Sequence, residues 1–175
     1  TLRELMALEL VSDGSPLTPD IGVKRVDRTA INTVVLNVNT GCNLSCTYCY
    51  KEDLDKPSEG KKMDVATAVA SVEMLLKESP DEERYTVVFF GGEPLSNRKL
   101  LEYMVDYCEK RFSEAGKMVE FVMTTNATLL TEEIVDYLNA HRFGLSVSID
   151  GPKTIHDRNR ITVDRKSTRL NSSHP

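Results

Sequence analysis

Cys42, Cys46 and Cys49 fall within one eight-residue run, Cys42-Asn43-Leu44-Ser45-Cys46-Thr47-Tyr48-Cys49, directly after a short β-branched stretch. Three thiolates on one loop can hold a single inorganic core, and thiolate sulfur suits zinc and iron–sulfur clusters alike. The number of ligands separates the two. A structural zinc site takes four, but no histidine lies near the run, and His141 and His156 follow other predicted strands. Cys108, the fourth cysteine, sits in an apolar helical stripe and reads as a small core hydrophobe. Three ligands with one position left open form a reactive centre. A zinc staple and an electron-carrying cluster stand as the alternatives.

Four further polar runs interrupt apolar ones. Gly91-Gly92-Glu93-Pro94 could bring backbone close to a ligand and offer it an acid and carbonyls, or simply end a strand. Thr124-Thr125-Asn126 and Ser148-Ile149-Asp150-Gly151 are turn formers by type that also carry hydroxyl, amide and carboxylate groups. His156-Asp157-Arg158-Asn159-Arg160 ends on an arginine that can meet an anion or cap a helix.

The elements that must position these groups alternate in type. Thr33 to Val38 predicts a strand running into the cysteine loop. Asp64 predicts an N-cap for a helix with Val65, Val69, Val72 and Leu76 on its apolar face, closed by Pro80. Tyr85 to Phe90 is a continuous apolar run of the kind a strand buried on both faces shows. Leu100, Met104, Cys108 and Phe112 predict the next helix. Val119 to Thr124 predicts a third strand, Thr131 starts a helix carrying Ile134, Val135 and Leu138, and Gly144 to Ile149 predicts a fourth strand. Such alternation implies an α/β fold with a parallel sheet and right-handed crossovers. Every polar run then follows a strand, at the carboxyl edge where such sheets carry their sites. Four βα units are too few to close a barrel and form an open arc.

With 175 residues, 40% of them hydrophobic, the chain is long enough for one globular core. No stretch approaches the ~20 apolar residues that span a bilayer, and Thr1 to Leu10 lacks the order of a signal peptide. Clustered cysteines outside a disulfide framework fit a reducing compartment, so the expected location is cytoplasmic. The chain is acidic, with 22 Lys and Arg against 27 Asp and Glu and no basic stripe, which argues against nucleic acid as a partner. Residues 1–30 read as an N-terminal extension left from a preceding element, and 31–163 as the core domain. Residues 164–175 resemble the conceptual translation of a sequencing adapter and read as a non-native tail truncating the C-terminus. Without the three basic residues from Arg165 onward the balance is 19 against 27, or −8, and His174 is no ligand candidate.

The Cys-x3-Cys-x2-Cys spacing with Tyr48 before the last cysteine, joined by Gly91-Gly92-Glu93-Pro94 one βα unit later, resembles the radical S-adenosylmethionine (SAM) superfamily. The likeness covers roughly Ile31 to Thr162 and departs at Ala127, where many relatives carry glycine. It implies a partial (β/α) radical SAM barrel whose Cys42, Cys46 and Cys49 hold three irons of a [4Fe–4S] cluster. The fourth iron would chelate SAM by its amine and carboxylate. Tyr48, Gly91, Gly92, Glu93, Asn126 and Ser148 are the implied SAM-binding positions, and no catalytic base is identified. The family chemistry takes an electron from a flavodoxin- or ferredoxin-type donor, cleaves SAM and abstracts hydrogen from an unactivated carbon. The likeness is strongest for peptide maturases that carry a SPASM domain. Within them, Asn37 to Cys42 and the acidic stretch after Tyr50 are most similar to the quinohemoprotein amine dehydrogenase maturation proteins, which make thioether links in a small subunit. Sulfatase maturation is the alternative within the family. A chain ending after four units is expected to be inactive alone and to expose a sheet edge.

Overall fold

The computed structural model describes residues 30–50 and 59–164. The expected extension at 1–30, the acidic stretch at 51–58 and the expected tail at 164–175 lie outside the described residues, apart from Ala30 and Asp164. Four strands alternate with helices: β1 (Thr33–Asn39), α1 (Val65–Glu78), β2 (Arg84–Gly91), a 3-10 turn (Pro94–Asn97), α2 (Arg98–Glu114), β3 (Met118–Thr125), α3 (Glu132–Ala140), β4 (Gly144–Val147) and α4 (Lys153–Asn159). The sheet order follows the chain, β1-β2-β3-β4, and every pairing is parallel. All loops that leave a strand therefore emerge at one edge.

Local chemistry starts and stops the helices. The Asp64 carboxylate accepts from the Thr67 N–H at 2.8 Å and begins α1, and the Thr131 hydroxyl accepts from the Ile134 N–H at 3.3 Å and begins α3. Glu132 and Glu133 in the first turn of α3 favour its positive end. The core lies between the helices and the sheet face bearing Leu36, Val38, Tyr85, Val87, Phe89, Phe121 and Met123. Burial of each large apolar side chain there stabilises the fold by about 1.5–3 kcal/mol. The Tyr85 ring packs tilted against Phe112, with centroids 5.1 Å apart, and its hydroxyl donates to the Ser79 carbonyl, so its polar end is satisfied.

Four expectations change. On α1, Val72 of the expected stripe is buried and Val69 and Leu76 pack partly buried against the core, while Ala68 and Leu75 join the buried face and Val65 stands exposed. Small Ala68 lets the helix approach the sheet closely, a preference that matching larger apolar residues to a helical period does not detect. Val135 of α3 is likewise exposed while Ile134 and Leu138 are buried. In β2, Tyr85, Val87 and Phe89 are fully buried, but Thr86, Val88 and Phe90 only partly, because the helices cover one sheet face alone. The last strand is also shorter than expected, ending at Val147.

Candidate functional site

Cys42, Cys46, Cys49, Tyr48, Gly91, Gly92, Asn126 and Ser148 all line one cavity at the carboxyl edge of the sheet, with Thr124, Thr125 and Arg160. Glu93 is the one expected site residue that does not line it. Its carboxylate is fully buried behind the wall. Oε1 accepts from the Leu95 N–H at 3.1 Å and the Thr125 hydroxyl at 2.8 Å, while Oε2 accepts from the Asn126 N–H at 2.9 Å. Glu93 thus ties the loop after β2 to the end of β3. Burial pushes its pKa up, and those three donors pull it partly back. Oε2, with one donor, retains a lone pair for a further one.

The two glycines serve the backbone of the cysteine loop first. Gly92 donates to the Asn39 carbonyl at 2.7 Å and Glu93 to the Gly41 carbonyl at 3.1 Å, drawing the two loops together. A Cβ at Gly91 would stand 2.3 Å from the Asn39 oxygen, and one at Gly92 would stand 2.1 Å from the Gly41 oxygen. Gly91 also holds φ at +154°, which side-chain-bearing residues rarely adopt. Neither position has room for alanine without moving the end of β1 or the loop that follows it.

Two sets of ties hold the cysteine loop. On the Cys42 side, Asn126 donates to the Asn43 side-chain oxygen at 2.9 Å and to the Cys42 sulfur at 3.7 Å, and the Leu44 N–H donates to that sulfur at 3.3 Å. Asn43 in turn donates to the Thr128 hydroxyl at 2.7 Å. On the Cys46 side, the Tyr48 hydroxyl donates to both oxygens of Asp150, at 2.7 and 2.9 Å, and Arg160 Nε donates to Asp150 Oδ1 at 2.7 Å. The guanidinium lies 5.6 Å from the centroid of the Tyr48 ring. Arg160 therefore meets a carboxylate of the protein itself and lines the cavity, which goes beyond capping α4.

These surroundings set the charges. Burial raises the Cys42 thiol, opposed by the Leu44 N–H, and burial raises the Cys46 thiol, opposed by the Arg160 guanidinium. Burial and the bond to Asp150 push Tyr48 up to about 12, while Arg160 holds Asp150 below the usual carboxylate range. Three sulfurs around one zinc lie within about 4 Å of each other, given a Zn–S distance near 2.3 Å. Among the described residues no three His, Cys, Asp or Glu side chains form a group able to hold a single ion. The three thiols lining one cavity can serve as ligands to one inorganic core.

Several supporting residues escaped the sequence reading as site residues. Asn39 accepts from the Gly41 N–H at 3.0 Å and donates to the Ser96 hydroxyl at 2.5 Å, and Asn97 donates to the Val38 carbonyl at 2.8 Å. An Asn two residues before a glycine is a local turn signal, but the partners on the other loop have no trace in the sequence.

Comparison with known proteins bears on this geometry. A model of the Radical SAM superfamily matches residues 36–169. An uncharacterized protein of Methanocaldococcus jannaschii is 35% identical over 118 residues, 67% of this chain and 38% of that protein. The cysteine-type anaerobic sulfatase-maturating enzyme of Clostridium perfringens is 27% identical over 74% of this chain and 35% of its own length. GTP 3',8-cyclase of Chlorobaculum tepidum is 31% identical over 69% of this chain and 33% of its own. Among solved structures, anSMEcpe with bound AdoMet superposes with a TM-score of 0.69 at 27% identity, covering 80% of this chain and 36% of that one. The same protein with AdoMet and the Cp18Cys peptide superposes at 0.65, with 28% identity, over 78% of this chain and 36% of that one. The chain spans a little over a third of the length of most of these proteins.

Proposed function

The chain belongs to the radical SAM superfamily, and from that premise we propose that it carries the cofactor chemistry of an enzyme that modifies a peptide or small protein by hydrogen abstraction. The observation that carries the reading is the meeting of Cys42, Cys46 and Cys49 with the glycine loop and two strand ends around one cavity. The cofactors are a [4Fe–4S] cluster and SAM, and together they supply one-electron chemistry strong enough to remove hydrogen from an unactivated carbon. Cys42, Cys46 and Cys49 would hold three irons and leave the fourth to SAM. SAM would lie among the backbone at Gly91 and Gly92 and the polar groups of Tyr48, Asn126 and Ser148, with Glu93 bracing the wall from behind through Thr125 and Asn126.

A peptide substrate is supported by the sulfatase-maturating relatives and by the peptide named in one neighbouring structure. A nucleotide substrate is the competing reading, favoured by the likeness to GTP 3',8-cyclase. The finer sequence reading, thioether formation in a quinohemoprotein amine dehydrogenase subunit by an enzyme with a SPASM domain, rests on Asn37 to Cys42 and on residues outside those described. Sulfatase-type maturation has the named relatives on its side. The electron would come from a flavodoxin- or ferredoxin-type donor.

Anaerobic reconstitution with iron and sulfide tests the core of this. Wild-type chain should take up four irons per chain and show iron–sulfur absorbance that Cys46→Ala abolishes. Zinc uptake without iron, or a cluster whose spin signal ignores added SAM, would sink the proposal. Comparing a cysteine-bearing peptide with GTP for stimulation of SAM cleavage decides between the substrate classes.

A further inference from the structure

The segment after α4 runs antiparallel to the cysteine loop. Ser45 donates to the Ile161 carbonyl at 2.7 Å, Thr47 to the Asn159 carbonyl at 2.9 Å, and Val163 to the Asn43 carbonyl at 3.3 Å, while Leu44 and Thr162 form an antiparallel bridge. Each step forward in one segment is a step back in the other. Cys46 is therefore set directly opposite Arg160. Residues opposite each other in an antiparallel pair carry their Cβ atoms about 4.5–5.5 Å apart on one face, and both of these line the cavity.

The arginine does not hang loose there. Its side chain is 13% exposed and that of Asp150 is 14%, with 2.7 Å between Nε and Oδ1. Tyr48, two residues past Cys46, completes the clamp from the cysteine loop itself. The two ends of the loop are thus served by different chemistry. Cys42 receives two N–H donors, and Cys46 faces a fixed cation.

We infer that Arg160, held in place by Asp150 and Tyr48, is a positioning and charge-tuning residue that sets the reduction potential of the cluster from the Cys46 side. The inference rests on the reading of Cys46 as a cluster ligand. Reduction adds one negative charge to a cluster that thiolates already make anionic, so a nearby cation favours the reduced state and a nearby carboxylate opposes it. Arg160 lines the cavity together with Cys46 and Asp150 does not, so the cation is the member of the pair that faces the cluster site.

Redox titration of the reconstituted full chain, followed by electron paramagnetic resonance, tests this with three variants. Arg160→Gln should lower the midpoint potential, Asp150→Asn should raise it, and Arg160→Lys should stay near wild type. Opposite signs for two neighbouring substitutions are what charge predicts and what simple loosening of the loop does not. Shifts in the same direction, or no shift in Arg160→Gln, overturn the inference, as does a Lys variant that behaves like Gln. Should Arg160→Gln fail to hold iron, the Asn and Lys variants decide by the same signs. Wild-type chain that takes up no cluster refutes the proposed function and this inference together. A normal wild-type cluster with the wrong variant potentials refutes the inference alone.

Discussion

Ala127 and Asp150 show how single side chains carry information about the edge of the sheet. Ala127 adopts φ +63° two residues past the end of β3, at the position where the resemblance leads one to expect glycine. The left-handed conformation costs a Cβ-bearing residue about 1–2 kcal/mol, and alanine recovers about 0.4–1 by restricting the unfolded chain. Ala127→Gly should therefore raise stability by somewhat less than about 1 kcal/mol, read from the shift of the urea midpoint at unchanged slope. Asp150 is held below its ordinary pKa, first by Arg160 and then by Tyr48. A carboxylate lowered on folding contributes stability above its unfolded pKa and loses it as pH falls through the folded value. Asp150→Asn should be less stable than wild type at pH 7, and the gap should begin to close below about pH 4, the ordinary range for aspartate. A gap that widens in acid would contradict the clamp.

At the scale of elements, α2 supplies more buried apolar side chains than α1 or α3, and Cys108 lies in the middle of its stripe. The thiol is fully buried, and burial pushes its pKa up to about 12. Cys108→Ser should cost about 1–3 kcal/mol, the penalty for a hydroxyl without a strong partner in an apolar setting. Iron content after reconstitution should be unchanged, in contrast to Cys46→Ala. The helical period in the sequence located this stripe correctly, including Leu100, Met104 and Phe112. On α1 it found Val72 but missed the burial of Ala68, because periodicity reports that a helix has an apolar face but gives Ala68 little weight beside valine and leucine. Strand β2 was misread for a related reason: an apolar run states that both faces tolerate burial, and only the helices' placement on one side decides which face receives it.

Across the whole molecule, the last strand stands apart. Leu145 and Val147 pair in register with Met123 and Thr125, on the face the helices cover, yet both are 42% exposed. Among the described residues β4 pairs with β3 alone, so its outer edge and its apolar stripe are open together. Such an edge recruits other strands. Sedimentation velocity should show concentration-dependent association that Val147→Lys reduces, with stability changed by no more than about 0.5 kcal/mol because the side chain is already exposed. The sequence by itself determined the order of four βα units, the cysteine loop after β1 and the gathering of the polar runs at one edge. Periodicity and spacing are local, and a parallel sheet turns them into position without further instruction. The tertiary structure alone decided that Glu93 turns behind the cavity wall and that Arg160 stands opposite Cys46. It alone joined Tyr48 to Asp150 across 102 positions of chain. Those outcomes depend on backbone pairing between distant loops, and only the folded chain brings the two sides of such a pairing together.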